Sequence, residues 1–399
     1  MDNNRKHIVF LARWYPHRYD PMFGLFVQRH AEAAALYNDI SVIYVHADDT
    51  LTQKFDISTD NASKDAPWHV STIRVYYKKP KSKILSLIRF FKANKLALKQ
   101  LPKPDLIHVH ILTRLGIIAR WQKLVHGTPY IITEHWSRYL PGNDFSGFFR
   151  KWATKIVVKH ASLVTTVTKN LAYAMQSYGL TNPNYMVLPN VVDTNMFQIQ
   201  PHDNAVPKII HISCFEDKSK NISGLLEALK ILKDKNIAYQ AVLIGNGMDF
   251  EAMKQKAASL QLNDRVTFTG MLQGQELVNE LASGDFLVVS SNYENMPVVI
   301  LEALACGLPV ASTDVGGIAE IVDLSKGLLI PPHETDLLAE IIETMLKLYK
   351  NYDANTLRDS IIKKFSNEAV GKLLNSLYST TISHRDTHLL HDEFHELCV

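Results

Sequence analysis

Cysteine is scarce in this sequence. Cys214, Cys306 and Cys398 are the three in 399 residues, and they are scattered. That excludes a disulfide framework and a cysteine-based metal site, and it points to a reducing compartment. Charge of one sign is also lacking. Lys and Arg total 43 against 40 Asp and Glu, without the basic surplus of a general nucleic-acid binder. No apolar run is long enough to span a bilayer. The opening Met1-Asp-Asn-Asn-Arg-Lys6 leads straight into a short apolar strand, with no signal peptide. The expectation is a soluble cytoplasmic protein, peripheral at most on the inner face of a membrane.

What is present is alternation. Short β-branched runs such as His7–Ala12, Ile40–His46, Leu106–His110, Gln240–Ile244 and Phe286–Ser290 alternate with helical patterns such as Phe26–Leu36 and Ile222–Lys233. Strands alternating with helices predict βαβ units and parallel sheets. The length exceeds one ordinary core. The prediction is therefore an α/β chain of two doubly wound, Rossmann-like domains, whose strand-end residues would converge if the two were facing a central cleft. Residues 1–200 form the first and 208–365 the second. The two-proline stretch Gln200–Pro207 is read as the linker. A helix over 366–378 lies beyond the second sheet, where it could cross back to the first domain, and the polar, His-rich tail 379–399 is expected to be loosely held. Ligands in such folds bind beyond the carboxyl ends of the strands, so residues after strands take priority.

Glu294 and Glu302 stand out on that ground. Glu294 follows the apolar run Phe286–Val289, and Glu302 falls within a helical segment. Pro297 suits the first helical position and Gly307 the stop. Between the two acids the first helix N–H groups are ready for an anion. Two acceptors flanking an anion site suit a nucleotide sugar, which carries hydroxyls on both sides of its phosphates.

The surrounding residues make the pattern specific. Tyr293-Glu-Asn-Met-Pro-Val-Val-Ile-Leu-Glu-Ala-Leu-Ala-Cys-Gly-Leu-Pro-Val310 is followed by Asp314-Val-Gly-Gly-Ile-Ala-Glu-Ile-Val322. With Pro104-Asp-Leu-Ile-His108, Thr133-Glu-His135, Leu188-Pro-Asn-Val-Val-Asp193 and Gly245-Asn-Gly247 ahead of it in this order, the chain resembles the retaining glycosyltransferases of family 4, which have the GT-B fold. The resemblance implies hexose transfer from a nucleoside diphosphate sugar to a saccharide or lipid-linked saccharide, as in bacterial surface polysaccharide or glycolipid synthesis, with no metal and no other cofactor.

It also implies roles. Glu294 would contact a donor-sugar hydroxyl, Glu302 the ribose, and the amides of Asn295, Met296, Pro297 and Val298 the sugar and diphosphate (Pro297 itself having no N–H). His135 would stand near the reaction centre. Lys220 matches the family's phosphate lysine. The family's arginine ahead of it is missing, because Cys214-Phe-Glu-Asp-Lys-Ser-Lys220 puts Phe215 or Glu216 there. Lys218 is the candidate to supply that charge. Gly24, Gly245, Gly247 and Met271 complete the predicted donor site; Gly24 is equally readable as a helix-entry turn.

His108-Val-His110 invites a zinc reading. A strand is expected to place the two on opposite faces, and no third ligand has suitable spacing, so the metal is set aside. Residues 78–103 carry many lysines, Arg89 and no acid. They read as a basic amphipathic helix for an anionic membrane surface, or as an ordinary packed helix with a solvated face. The functional alternatives are a sugar-nucleotide 2-epimerase on the same fold and a non-catalytic sugar-nucleotide-binding subunit. The acceptor loops, Arg13–Phe23 and Trp136–Phe149, give no reading by themselves.

Overall fold

Apolar β-branched runs that are buried on both faces need helices on both sides, and the parallel sheet is the arrangement that supplies them. The computed structural model describes residues 5–60, 70–112, 114–141 and 145–383. Cys398 and the tail beyond Ser383 lie outside them. The chain divides into two units, one of Met1–Val191 with Asn367–Val399 and one of Val192–Ser366.

Unit 1 holds β1 (His7–Ala12), β2 (Asp39–Asp48), β3 (Phe55–Asp60), β4 (Val70–Lys78), β5 (Leu106–His110), β6 (Tyr130–Glu134), β7 (Leu163–Thr166) and β8 (Tyr185–Val187). They lie in the order β3-β4-β2-β1-β5-β6-β7-β8. Every pairing is parallel except β3 with β4. The chain therefore turns one way from β1 and the other way from β5, and a topological switch point falls between them. Ala12 pairs with His110 there. Residues following β1 and β5 share that switch point, the place where open α/β sheets bind ligands.

Unit 2 holds β9 (Lys208–Ile212), β10 (Gln240–Ile244), β11 (Val266–Gly270), β12 (Phe286–Val289), β13 (Val310–Thr313) and β14 (Gly327–Ile330). All run parallel, in the order β11-β10-β9-β12-β13-β14. The switch point falls between β9 and β12, so the segments after Ile212 and Val289 are neighbours. Those segments carry Lys220 and Glu294.

Two expectations are corrected. The linker reading of 200–207 fails, because the division falls at Val191 and those residues belong to unit 2. Asn204 Nδ2 donates to Asp285 Oδ2 at 3.0 Å, and Lys208 N to the same oxygen at 2.6 Å. The final helix, Asn367–Ile382, is longer than expected and belongs to unit 1. Its Val370, Leu374, Leu377 and Tyr378 enter the same core as Val27, Ala31 and Ala34 of the helix Leu25–Ala35. A Cβ at Gly371 would collide with the carbonyl of Ala33, so glycine permits this close helix approach.

Candidate active site

In unit 2 the two switch-point segments are tied together by backbone and by charge. Asn292 N donates to Ser219 O at 2.8 Å, and Ser290 Oγ to Lys220 O at 2.8 Å. Lys220 Nζ then reaches Glu294 Oε1 at 2.5 Å, and Ser291 Oγ donates to the same oxygen at 2.8 Å. The side chains of Lys220 and Glu294 are 21% and 12% exposed. Burial pulls the Lys220 pKa down, but the carboxylate of Glu294 outweighs it and holds the lysine above its ordinary value. Lys220 is therefore a fixed ammonium. The pair lines a cavity of about 250 Å³ together with His211, Ser291, Pro297 and Val298.

The helix behind Glu294 runs over Val298–Ala305. Pro297 is its cap, with ψ at 115°, and not its first helical residue. Gly307 has φ +80° and ends it, as the left-handed stop requires. Asn295, Met296 and Glu302 are all buried; none of the three is among the cavity-lining residues. Gly316 has φ +64°, and a Cβ there would collide with the carbonyl of Glu294. Gly317 N donates to Asn295 O at 2.8 Å. The Gly316-Gly317 turn thus fixes the backbone that carries Glu294.

Gly245 and Gly247 act on the other segment. A Cβ on either would collide with a carbonyl, that of Ser213 or of Cys214. These glycines let the strand end pack on the Ser213–Lys220 loop. Phe215, at the missing arginine position, is fully buried with φ +44°. Its ring packs on Phe250 at 4.9 Å. The position has become core, and Glu216 accepts from Ser219 Oγ at 2.6 Å. Lys218 is exposed and does not line the cavity. Met271 is also exposed, just after β11.

In unit 1 the switch point gathers imidazoles. His108 and His110 do not lie on opposite faces. Residues two apart in a strand share a face, and their ring centroids are 4.0 Å apart. His110 Nδ1 meets His135 Nε2 at 3.1 Å. His30, from the helix Leu25–Ala35, joins them, so a third imidazole exists that spacing had not revealed. Nitrogens of His30, His110 and His135 lie within 4.8 Å of one another. Both nitrogens of His30 already face backbone carbonyls, Phe26 O at 2.8 Å and Pro189 O at 3.0 Å. An ion would have to displace one of these contacts. His108 lies between the Tyr378 hydroxyl, 2.8 Å away, and Thr133 Oγ1, 2.6 Å away. Burial holds all four imidazoles below their ordinary pKa, so they are neutral near pH 7.

Glu134, beside His135, was not singled out from sequence. It is fully buried and accepts from the amides of Leu112, His135 and Trp136 at 2.8, 2.9 and 2.9 Å. Burial pushes its pKa up to about 7 against these bonds. It pins the β5 and β6 ends together and so sets the position of His135. Gly24, with φ +71°, caps the helix Leu25–Ala35, and a Cβ there would collide with the Trp14 backbone.

Comparison with known proteins follows this division. The family model described as "Glycosyl transferases group 1" matches residues 192–364, and that described as "Glycosyltransferase Family 4" matches 31–196. The Bacillus subtilis (strain 168) glycosyltransferase TuaC, named for teichuronic acid biosynthesis, is 26% identical over 287 residues, 69% of this chain and 71% of that protein. The solved structure of sucrose-phosphate synthase from Thermosynechococcus elongatus matches with a TM-score of 0.77 at 20% identity, covering 95% of this chain and 100% of that one. That of Anabaena HepE in complex with UDP-glucose matches with a TM-score of 0.68 at 18% identity, covering 94% and 100%. The chain belongs to the group 1 glycosyltransferases, family 4, and has the GT-B fold.

Proposed function

We propose that the chain transfers a hexose from a nucleoside diphosphate sugar to a hydroxyl of a saccharide or lipid-linked saccharide, with retention at the anomeric carbon and without a metal. The observation that carries this is the Lys220–Glu294–Ser291 cluster lining a cavity at the unit 2 switch point. Two comparisons support it: the HepE complex holds UDP-glucose, and TuaC is named as a glycosyltransferase of teichuronic acid biosynthesis.

Each residue then has a physical task. Glu294, held by Lys220 and Ser291, accepts from a donor-sugar hydroxyl. Lys220 and the amides at the start of Val298–Ala305 stabilise charge on the departing diphosphate. Glu302 takes the ribose hydroxyls. The bond from the anomeric carbon to the diphosphate oxygen breaks, and its electron pair leaves with the diphosphate. The acceptor hydroxyl oxygen bonds to that carbon on the same face, and its proton passes to a diphosphate oxygen. His135, kept neutral, donates to a sugar hydroxyl. Of the other predicted donor residues, Asn295 and Met296 act through the backbone turn ahead of the helix. Gly24, Gly245 and Gly247 act by packing their loops, and Met271 and Lys218 stand at the margin.

Among the described residues no helix is long and apolar enough to cross a membrane. The helix Lys83–Leu98 does leave Ile84, Leu85 and Ile88 exposed beside its lysines, a face suited to anionic lipid headgroups. Co-sedimentation with anionic vesicles at low salt tests that face, and no binding would remove it.

The transfer is tested with a panel of UDP- and GDP-sugars. Acceptor-dependent release of the nucleoside diphosphate, with the product anomer retained by NMR, is the expected result. A new sugar nucleotide formed without acceptor would make the protein an epimerase, and binding without turnover a non-catalytic subunit.

A further inference from the structure

The switch point of unit 1 carries a second cavity, of about 560 Å³, beside the histidine cluster. Four arginines line it: Arg13 after β1, Arg114 after β5, Arg138 after β6, and Arg150 from the helix Phe148–His160. No acidic residue is among its lining residues. Among the described residues, none of the four guanidiniums forms an ion pair with a carboxylate, although ion pairs are frequent elsewhere, as in Arg18 with Asp48 and Asp56. Residues 142–144 of the neighbouring loop lie outside the described residues.

Two of these cations are held by aromatic rings and not by charge. The Arg138 guanidinium carbon lies 3.5 Å over the Trp136 ring, and that of Arg114 lies 5.9 Å from the Phe90 ring centroid. At Arg138 this stacking fixes the guanidinium plane and leaves its in-plane N–H groups for a ligand. The Nε of Arg138 is buried without a hydrogen-bond partner, a costly state in a protein interior. Burial and the nearby Arg150 and Arg13 lower the Arg138 pKa, against the field of Glu134. The one buried carboxylate in reach is thus already committed to three amides. The rest of the wall is apolar and aromatic, including Leu87, Phe91, Ile117 and Phe149.

Resting on the transferase reading above, we propose that this cavity is the acceptor site and that the acceptor is an amphipathic anion: a saccharide whose phosphate, diphosphate or carboxylate is clamped by Arg13, Arg138 and Arg150, with an apolar group against the Phe91–Phe149 wall. A neutral sugar would use none of the charge that these four cations, three of them solvent-exposed, bring to one cavity. Guanidinium forks match phosphate and carboxylate oxygens two at a time. Phosphate in a lipid-linked acceptor and carboxylate in an acidic sugar share this chemistry.

The experiment is calorimetric titration of the full chain, with saturating UDP added to occupy the donor site. The probes are farnesyl diphosphate, octyl glucuronide and, as the neutral reference, octyl glucoside. At least one anionic probe should bind about tenfold or more tighter than octyl glucoside. R138Q and R150Q should each weaken that binding about tenfold, and R138K should restore it only in part, since a lysine lacks the fork. Preference for farnesyl diphosphate identifies a lipid-linked diphosphate, and preference for the glucuronide an acidic sugar. Wild-type binding should also weaken from low to high salt, which reads the charge even if a variant fails to fold. Anionic probes that bind no better than octyl glucoside, variants with wild-type affinity, or salt-independent binding would overturn the proposal. Thermal stabilisation by UDP or by GDP, measured separately, reports unit 2. Its absence alongside arginine-dependent probe binding would remove the donor reading and leave this site standing.

Discussion

The two units place their functional residues at the same topological position and use opposite electrostatics. Unit 2 puts a half-buried ion pair, Lys220–Glu294, between β9 and β12. Unit 1 puts four buried imidazoles, all kept neutral, between β1, β5 and β6. A charged pair suits a site that must trade one partner for a phosphate. A neutral hydrogen-bonded cluster suits a site that holds shape without drawing an anion away from its neighbours. The fold fixes where a site can form, and the residues at strand ends decide which kind it becomes.

The sharpest way to break this comparison is to remove the ion pair. Glu294→Ala and Lys220→Ala should each lower turnover by about 10³-fold, as loss of a charge-stabilising group does, with circular dichroism unchanged. Near-wild-type rates in both would leave unit 2 without its assigned role. Next is the vanished arginine. Phe215→Arg should not restore a clamp; it should destabilise the fold by about 3 kcal/mol or more, because it buries a charge in place of a packed ring. A denaturant midpoint equal to wild type would show that the position is not core.

The pH dependence of stability separates the units more finely. His30, His108, His110 and His135 have folded pKa values below the ordinary one of about 6.5. Each contributes stability above about pH 6.5 that is lost as pH falls below it. Glu134 acts in the opposite sense. Its folded pKa of about 7 exceeds its ordinary 4.5, so it adds stability as pH falls from 7 towards 4.5. Four imidazoles against one carboxyl give a net loss. Amide exchange should show unit 1 opening before unit 2 as pH drops from about 7 to about 5.5; equal protection would sink the contrast. The smallest expected effect is Gly316→Ala. Strain at φ +64° and the collision with Glu294 O should cost about 1–2 kcal/mol, with turnover falling more than stability.

Legibility in the sequence followed locality. Strands β1, β5 and β10 were placed to the residue because each is a short apolar run closed by turn residues. Glu294 and Lys220 were readable because each lies in a continuous motif. The edge strand β3 and its neighbour β4 were not; β3 (Phe-Asp-Ile-Ser-Thr-Asp) is largely exposed and lacks an apolar period. His30 escaped notice because nothing local marks it. It reaches His110 and His135 only through packing of its helix. Glu134 lay within a quoted motif, yet its three amide bonds exist only once β5 and β6 are adjacent. The His108–His110 error was one of period: alternation puts neighbours, not next-neighbours, on opposite faces. The arginine cavity draws on four separate segments, and no window of sequence contains it.

The return of the helix Asn367–Ile382 makes unit 2 an insertion within unit 1, entered at Val192 and left at Ser366, which bridge to each other. On a ribosome this sets an order of assembly. The whole of unit 2 emerges before the last helix of unit 1, whose Tyr378 bonds His108 from 270 residues away. The N-terminal sheet must therefore wait, with its β1 and β5 core open on one side, until the helix Asn367–Ile382 has emerged. A premature stop or a nick near residue 366 would then injure the histidine cluster far upstream in the sequence, and spare the ion pair that lies closer to the break.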